Sequence, residues 1–130
     1  MNLVIDASAG FELILETATG MALAEQLPTG AEWWVPEHYF VEVASIFRRA
    51  ELRGDITASQ AAAAFNALQA RRVHRAQVRP MLQRAWERRG HLTIADGLYV
   101  VLAEELGATL VTADLNLARS PGLTVPTLTP

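Results

Sequence analysis

The chain contains no cysteine and no lysine among its 130 residues. The lack of cysteine excludes disulfides, thiolate metal sites and cysteine nucleophiles, and is compatible with a reducing cytoplasm. The lack of lysine excludes a P-loop, whose lysine contacts the phosphates, and Schiff-base chemistry, which needs an amine. It also disfavours phosphoaspartate enzymes and acid-dependent phosphatases, because these usually place a lysine beside their acidic cluster.

Long apolar runs and a cationic leader are lacking as well. The chain reaches a charge at Asp6 without any cationic residue before it, which does not match a signal peptide. No uninterrupted apolar run approaches the ~18–20 residues of a membrane span. We therefore expect a soluble, cytoplasmic protein without a membrane partner.

The basic residues that are present are unevenly distributed. The net charge is −3, and all eleven Lys+Arg residues are arginine. Seven of them lie in residues 71–89, a stretch that holds the single acid Glu87. The rest of the chain has thirteen acids and four arginines. The molecule is therefore polarised, and its two regions should suit different ligands.

Hydrophobic residues make up 51% of the chain, which is enough for one packed core, so we expect a single domain over residues 1–130. The pattern predicts strands at 3–5, 32–35, 73–78, 109–112 and 123–128. It predicts helices at 8–27, 37–53, 58–72 and 94–106, and one from Pro80 to near Gly90. The first of these helices should break near residues 17–20, and Pro36 should occupy the first position of the second. This alternation indicates an α/β fold with a central parallel sheet and helices on both faces.

Two aspartates follow predicted strands. Asp6 comes directly after the first strand, and Asp114 comes two residues after Thr112. Ligands of open parallel sheets gather in the crevice at the carboxyl ends of the strands, so both carboxylates would point into that crevice. The alternative interpretation is that each aspartate simply caps the helix that follows it.

Two further acids lie on predicted helices. Asp96 follows Thr93 at the spacing of a capping box, but the helix behind it is apolar nearly all round, which indicates a buried element. Glu42 lies at the border of a broad apolar arc of its helix. Its alternative role is an ion pair with Arg49 or Arg53 on the same side.

These four acids are more informative together than singly, because each is predicted to lie near a core-facing surface. Clustered carboxylates repel one another and must protonate, pair with arginine or bind a cation. Oxygen ligands without cysteine or a histidine pair favour Mg²⁺ or Mn²⁺. Such ions can activate water for displacement at phosphorus.

The spaced motifs resemble a known family. They are VIDAS at 4–8, EVAS at 42–45, and TIADGLYVVLAEELGATLVTAD at 93–114 followed by LNLA. Together they resemble the PIN domain and, more narrowly, the VapC-type toxins of bacterial toxin–antitoxin pairs. The resemblance covers the whole chain and implies a three-layer fold with a parallel sheet of about five strands. One departure is Ser45, where the family commonly has asparagine.

The resemblance implies that Asp6, Glu42, Asp96 and Asp114 are the metal-ligating and catalytic acids, with Ser8, Thr112 and Asn116 as their polar neighbours. It implies Mg²⁺- or Mn²⁺-dependent endonucleolytic cleavage of RNA. The implied partners are a cognate antitoxin protein and a second copy of the chain in a homodimer. The alternatives are a housekeeping RNA-processing nuclease without an antitoxin, and a non-catalytic PIN-like scaffold that binds RNA or protein.

Two other groups of residues carry weaker expectations. The arginine-rich stretch either tracks RNA phosphates or forms a pair of solvated helix faces. Its candidates for RNA contact are Arg71, Arg72, Arg75 and Arg79. The three histidines are scattered along the chain, and we expect them to be surface or internally satisfied residues rather than ligands. They are His38, His74 and His91.

Overall fold

The computed structural model describes residues Met1–Pro130 and contains a sheet of five parallel strands. The strands are β1 (Asn2–Ile5), β2 (Glu32–Pro36), β3 (His74–Ala76), β4 (Thr109–Val111) and β5 (Thr127–Leu128). Their order in the sheet is β3-β2-β1-β4-β5. The predicted parallel α/β fold is therefore confirmed, with β1 at the centre.

Seven α-helices flank this sheet. They are α1 (Ala7–Leu15), α2 (Ala18–Gln26), α3 (His38–Leu52), α4 (Ala58–Ala70), α5 (Leu82–Glu87), α6 (Ile94–Leu106) and α7 (Leu115–Ala118). Helices α1–α4 connect β1 to β2 and β2 to β3, toward one edge of the sheet. Helices α5 and α6 then connect β3 to β4, on the other side of β1. Because parallel crossovers are right-handed, these two groups of helices cover opposite faces of the sheet.

The core is built on the central strands and on α6. Leu3, Val4 and Ile5 of β1 are at most 1% exposed, and β4 is equally buried at Leu110 and Val111. In α6 every residue from Gly97 to Ala103 is buried, as its apolar pattern predicted. Burial of this helix fixes its first turn beside the ends of the strands. No helix of the fold combines the length and the apolar character needed to cross a membrane.

Local sequence signals explain several boundaries. Thr57 opens α4 with the predicted capping box, and Gly107 ends α6 in a left-handed conformation at φ 59°. The predicted break in the first helical region lies at Glu16 and Thr17, between α1 and α2. At Gly20 the two helices approach so closely that a Cβ would lie 2.0 Å from the Glu12 carbonyl oxygen.

Some predicted boundaries were wrong. Pro36 is the last residue of β2, not the first of a helix, and it lies in register with Ala76 of β3. The pairing of β2 with β1 extends only to Trp34, so the missing N–H of Pro36 leaves that ladder intact. The strands predicted at 73–78 and 123–128 are shorter than expected. Both are edge strands, which have a hydrogen-bonded neighbour on one side only.

The helix expected to start at Pro80 also differs. The chain first makes a 3₁₀ turn at Arg79–Met81, and α5 then ends at Glu87. Proline suits this turn because it fixes φ and lacks the N–H that the turn leaves unpaired.

Candidate active site

Asp6 lies at the carboxyl end of β1 and is only 3% exposed. It is the N-cap of α1, because its Oδ1 accepts hydrogen bonds from the Ala9 N–H at 2.9 Å and the Ser8 hydroxyl at 2.7 Å. Burial, with a smaller contribution from the nearby charge of Asp96, raises the pKa of Asp6 to about 6 against the opposing effect of its hydrogen bonds. Asp6 therefore does cap α1, but burial destabilises the charged form of its carboxyl group.

Two hydroxyl groups join the segments that follow β1 and β4. The Ser8 Oγ lies 3.3 Å from the Thr112 Oγ1 and accepts a hydrogen bond from the Ala113 N–H at 2.9 Å. The Thr112 Oγ1 also accepts the Asp114 N–H at 3.0 Å. These bonds hold the two aspartate-bearing segments together at neighbouring strand ends, and a role of Ser8 and Thr112 in catalysis stays a prediction.

Asp114 resembles Asp6 in its local role. Its Oδ1 accepts the N–H groups of Asn116 and Leu117 at 2.9 and 3.2 Å, which makes it the N-cap of α7. Asn116 is exposed and contributes its backbone N–H to this cap. A role for the Asn116 side chain stays a prediction.

Asp96 lies in the first turn of α6 and is the electrostatic centre of the site. The Thr93 hydroxyl accepts its N–H at 3.1 Å, but the reciprocal bond of a capping box is not made. Burial raises the pKa of Asp96, and the charges of Asp114 and Glu42 add to this increase. The charges of Asp6, Glu42 and Asp114 therefore all interact with the charge of Asp96, although no three of these side chains are placed to share an ion.

Glu42 reaches this group from α3. Its Oε1 accepts a hydrogen bond from the Tyr99 hydroxyl of α6 at 2.7 Å and lies 3.4 Å from the His38 Nε2. The alternative pairing with Arg49 or Arg53 is not observed, and Arg53 instead contacts Asp55 at 3.1 Å.

Sequence reasoning missed Tyr99, and it expected His38 to be a surface or internally satisfied residue without naming its partner. Tyr99 is 1% exposed, and burial together with its bond to Glu42 raises the pKa of its hydroxyl, which keeps it a donor. The His38 side chain is 19% exposed and contacts Glu42 inside the site. The available signal was spacing, because His38 and Glu42 are four residues apart on one helix and share a face. His74 and His91 are exposed, as expected.

The donor chemistry of these residues fits a hard divalent cation. The side chains supply only carboxylate oxygens, which Mg²⁺ and Mn²⁺ prefer, and the pKa values of Asp6 and Asp96 are raised mainly by burial, with a smaller contribution from neighbouring carboxylates. The spacing is less complete, because no three acidic or histidine side chains are positioned to hold an ion. The fit to a metal therefore rests on donor type and charge.

Comparison with known proteins identifies the family of the chain. The family model described as the PIN domain matches residues 3–123. The chain belongs to the PIN-domain family. Ribonuclease VapC12 of Mycobacterium tuberculosis is 40% identical to it over 120 residues, 92% of each chain. Ribonuclease VapC3 of the same species is 34% identical over 119 residues, 92% of this chain and 87% of the relative. The resemblance inferred from the motifs is confirmed.

Solved PIN-domain structures share this fold at low sequence identity. VapC20 of Mycobacterium tuberculosis, described as a sarcin-ricin loop cleaving toxin, gives a TM-score of 0.69 at 17% identity and covers 98% of this chain and 99% of its own. VapBC2 of Rickettsia felis, solved with a DNA fragment from its promoter, gives a TM-score of 0.63 at 15% identity, with 98% of each chain covered. These likenesses support the three-layer architecture.

The arginine-rich stretch of this PIN domain divides into two parts. Arg84 and Arg88 form ion pairs with Glu104, and Arg84 also pairs with Glu105 at 2.9 Å, so these arginines attach α5 to α6. The arginines nearer β3 are exposed and lie along the edge of the sheet. They are Arg71, Arg72, Arg75 and Arg79.

Ser45 replaces the asparagine that is common in this family. Its hydroxyl donates to the Val41 carbonyl oxygen of the preceding helical turn at 2.7 Å. The Ser45 hydroxyl is therefore engaged by its own helix, while the contacts among the four acids do not involve it.

In metal-free buffer, we expect Asp6→Asn to stabilise the PIN domain at neutral pH. Because burial raises the pKa of Asp6 from 3.8 to about 6, the folded chain retains a proton between these values that the unfolded chain has already released. The charged carboxylate therefore lowers the free energy of unfolding as pH rises through this window. The expected gain is about 1 to 3 kcal/mol near pH 7.5 and falls toward zero near pH 4.

Urea unfolding in EDTA at several pH values measures this gain. Asp55→Asn is the matched control, because Asp55 is 61% exposed and lies in an exposed pair with Arg53. If Asp6→Asn has the same effect at every pH, burial of charge at Asp6 is not the cause.

Proposed function

We propose that this PIN domain is a metal-dependent endoribonuclease that acts as the toxin of a toxin–antitoxin pair. The observation that carries the proposal is that three acids from separate segments, Asp6, Glu42 and Asp114, all interact electrostatically with Asp96 near the carboxyl ends of β1 and β4. The similarity to relatives named ribonucleases supports the reaction, and the carboxylate donors support the use of Mg²⁺ or Mn²⁺.

The four acids would have different roles. Asp6, Asp96 and Asp114 would hold the cation, and Glu42 would help to ligate it or to orient the attacking water. When bound, the cation would supply an activated water and neutralise charge on the scissile phosphate. The chain itself contributes orientation, since hydrogen bonds fix one oxygen each of Asp6, Glu42 and Asp114.

Replacing any one of the three aspartates should abolish cleavage. Asp6→Asn, Asp96→Asn and Asp114→Asn keep the side-chain size but remove a negative ligand. We expect each to lower the rate of Mn²⁺-dependent RNA cleavage by about 100-fold or more. Gel analysis of cleaved RNA in Mn²⁺, and again in excess EDTA, measures the effect.

Asp55→Asn again serves as the control, because it removes an exposed acid outside the site. Calorimetric titration with Mn²⁺ alone should detect binding to the wild type and weaker binding to Asp96→Asn. Cleavage that survives both EDTA and the three substitutions would refute the mechanism. Absence of Mn²⁺ binding would favour the non-catalytic scaffold.

We further propose that the exposed arginines along β3 bind RNA phosphates. Arg71 and Arg72 line a cleft of about 550 Å³ beside the Trp33 and His74 side chains. His74 is level with Trp34 in the sheet and Ala76 is level with Pro36, so β3 leads from this cleft toward the carboxyl ends of the strands. An RNA molecule that contacts both the cleft and the carboxyl ends of the β-strands would follow this edge of the sheet for about 7 Å.

Substitution of these arginines tests the surface. In an Asp96→Asn background, we expect glutamine at Arg71, Arg72 and Arg75 to weaken binding of a single-stranded RNA oligonucleotide. The slope of log affinity against log salt should fall by about 0.7 for each phosphate that the protein no longer neutralises. Glutamine at Arg48, Arg49 and Arg53 removes the same charge from α3 and should change binding less. Equal effects of the two triple substitutions would indicate only a reduction of net charge.

The partners follow from the same relationship. Solved structures of similar fold include the VapBC2 assembly of Rickettsia felis and a toxin–antitoxin complex from Klebsiella pneumoniae. We propose that this chain forms a homodimer and binds a small antitoxin encoded by an adjacent gene. Co-expression with that gene product should yield a complex that no longer cleaves RNA. If an adjacent gene yields no such inhibitor, the chain would instead be an RNA-processing nuclease without an antitoxin.

A further inference from the structure

His38 makes two contacts through a single ring nitrogen. Its Nε2 lies 3.1 Å from the Ala95 carbonyl oxygen and 3.4 Å from the Glu42 Oε1. Both of these atoms are acceptors, so the contacts are favourable only when Nε2 carries a proton. The other nitrogen, Nδ1, is buried and has no hydrogen-bond partner. A proton on Nδ1 would be a buried donor without an acceptor, which proteins rarely contain.

These contacts join α3 to the first turn of α6. Ala95 immediately precedes Asp96, and Glu42 lies one helical turn after His38. The His38 ring also packs against Tyr99, with the ring centroids 4.7 Å apart and the planes inclined at 43°. Tyr99 in turn donates to the same Glu42 oxygen at 2.7 Å. One ring therefore contacts the backbone before Asp96, the Glu42 carboxylate and the donor that holds Glu42.

We propose that His38, protonated at Nε2, is a positioning residue that holds the Glu42 carboxylate beside Asp96. Its contact with Ala95 fixes the ring against α6, and its contact with Glu42 restrains Oε1 together with the Tyr99 hydroxyl, which leaves Oε2 available to the acidic site. Such a restraint matters because like charges at Glu42 and Asp96 repel, and the repulsion favours rotation of Glu42 away from the site. The role in cleavage rests on the proposed ribonuclease function, whereas the placement of Glu42 does not.

Three variants separate this role from general packing. His38→Leu retains the bulk of the ring but removes the donor. His38→Gln retains a donor near the position of Nε2. His91→Leu is the control, because His91 is exposed and lies outside both the acidic site and the proposed RNA-binding surface along β3.

We expect His38→Leu to lower kcat for RNA cleavage in Mn²⁺ by about 10- to 100-fold, the usual effect of removing a partner of a ligand. KM should change by less than about twofold, because the substrate surface along β3 is untouched. His38→Gln should recover most of kcat, and His91→Leu should match the wild type. Equal decreases in His38→Leu and His38→Gln, or an effect confined to KM, would overturn the proposal.

Two measurements on the metal-free protein do not depend on cleavage. Nitrogen-15 spectra of the wild-type ring should place the His38 proton on Nε2; a ring protonated only at Nδ1 would overturn the proposal. Crystals of His38→Leu should show the Glu42 carboxylate displaced by about 1 Å or more from its wild-type position, and an unmoved Glu42 would also overturn it. A wild type that cleaves no RNA would count against the proposed function alone, since these two results would still decide the role of His38.

Discussion

Negative charge accumulates around Asp96, and the other features of the site serve to hold this charge in place. Burial and the charges of Asp114 and Glu42 raise the pKa of Asp96, and Asp6 is subject to a similar combination of burial and a neighbouring carboxylate. Left to themselves, these side chains would separate or take up protons. The surrounding structure fixes the acids on rigid elements, and its hydrogen-bond donors oppose part of the rise in pKa that burial causes.

The donors come from three kinds of source, each tied to a different part of the fold. Backbone N–H groups at the start of α1 and α7 bind Asp6 and Asp114, and the helix dipoles there favour a negative charge. Ser8 and Thr112 connect the two strand ends. Tyr99, on the most buried helix, binds Glu42 across the interface between α3 and α6. The hydrogen bonds by which Asp6 and Asp114 cap their helices also position their carboxylates in the candidate site. A role as a helix cap and a role in the candidate site are therefore compatible for both residues.

The arginines of residues 71–89 have two kinds of surroundings in the fold. The stretch from 71 to 89 forms a single basic segment in the sequence, but the fold separates its members. Arg84 and Arg88 face acids on α6 and join two helices, whereas Arg71 and Arg72 face solvent beside β3. Charge counting along the chain cannot make this distinction, because it depends on which helices are neighbours in space.

Local patterns in the chain were enough to predict the parallel sheet, the boundaries of α6, the capping box at Thr57 and the placement of Asp6 and Asp114 after two strands. These features follow from periodicity, from capping residues, and from the rule that loops at the carboxyl ends of parallel strands share one edge. Edge strands were predicted too long, because strand length there depends on the neighbour. The partners of Glu42 became visible only in the folded chain. Tyr99 lies 57 residues away in the sequence and reaches Glu42 because α3 and α6 approach each other at the ends of the strands. No local pattern encodes that approach, which results from packing both helices against a common core.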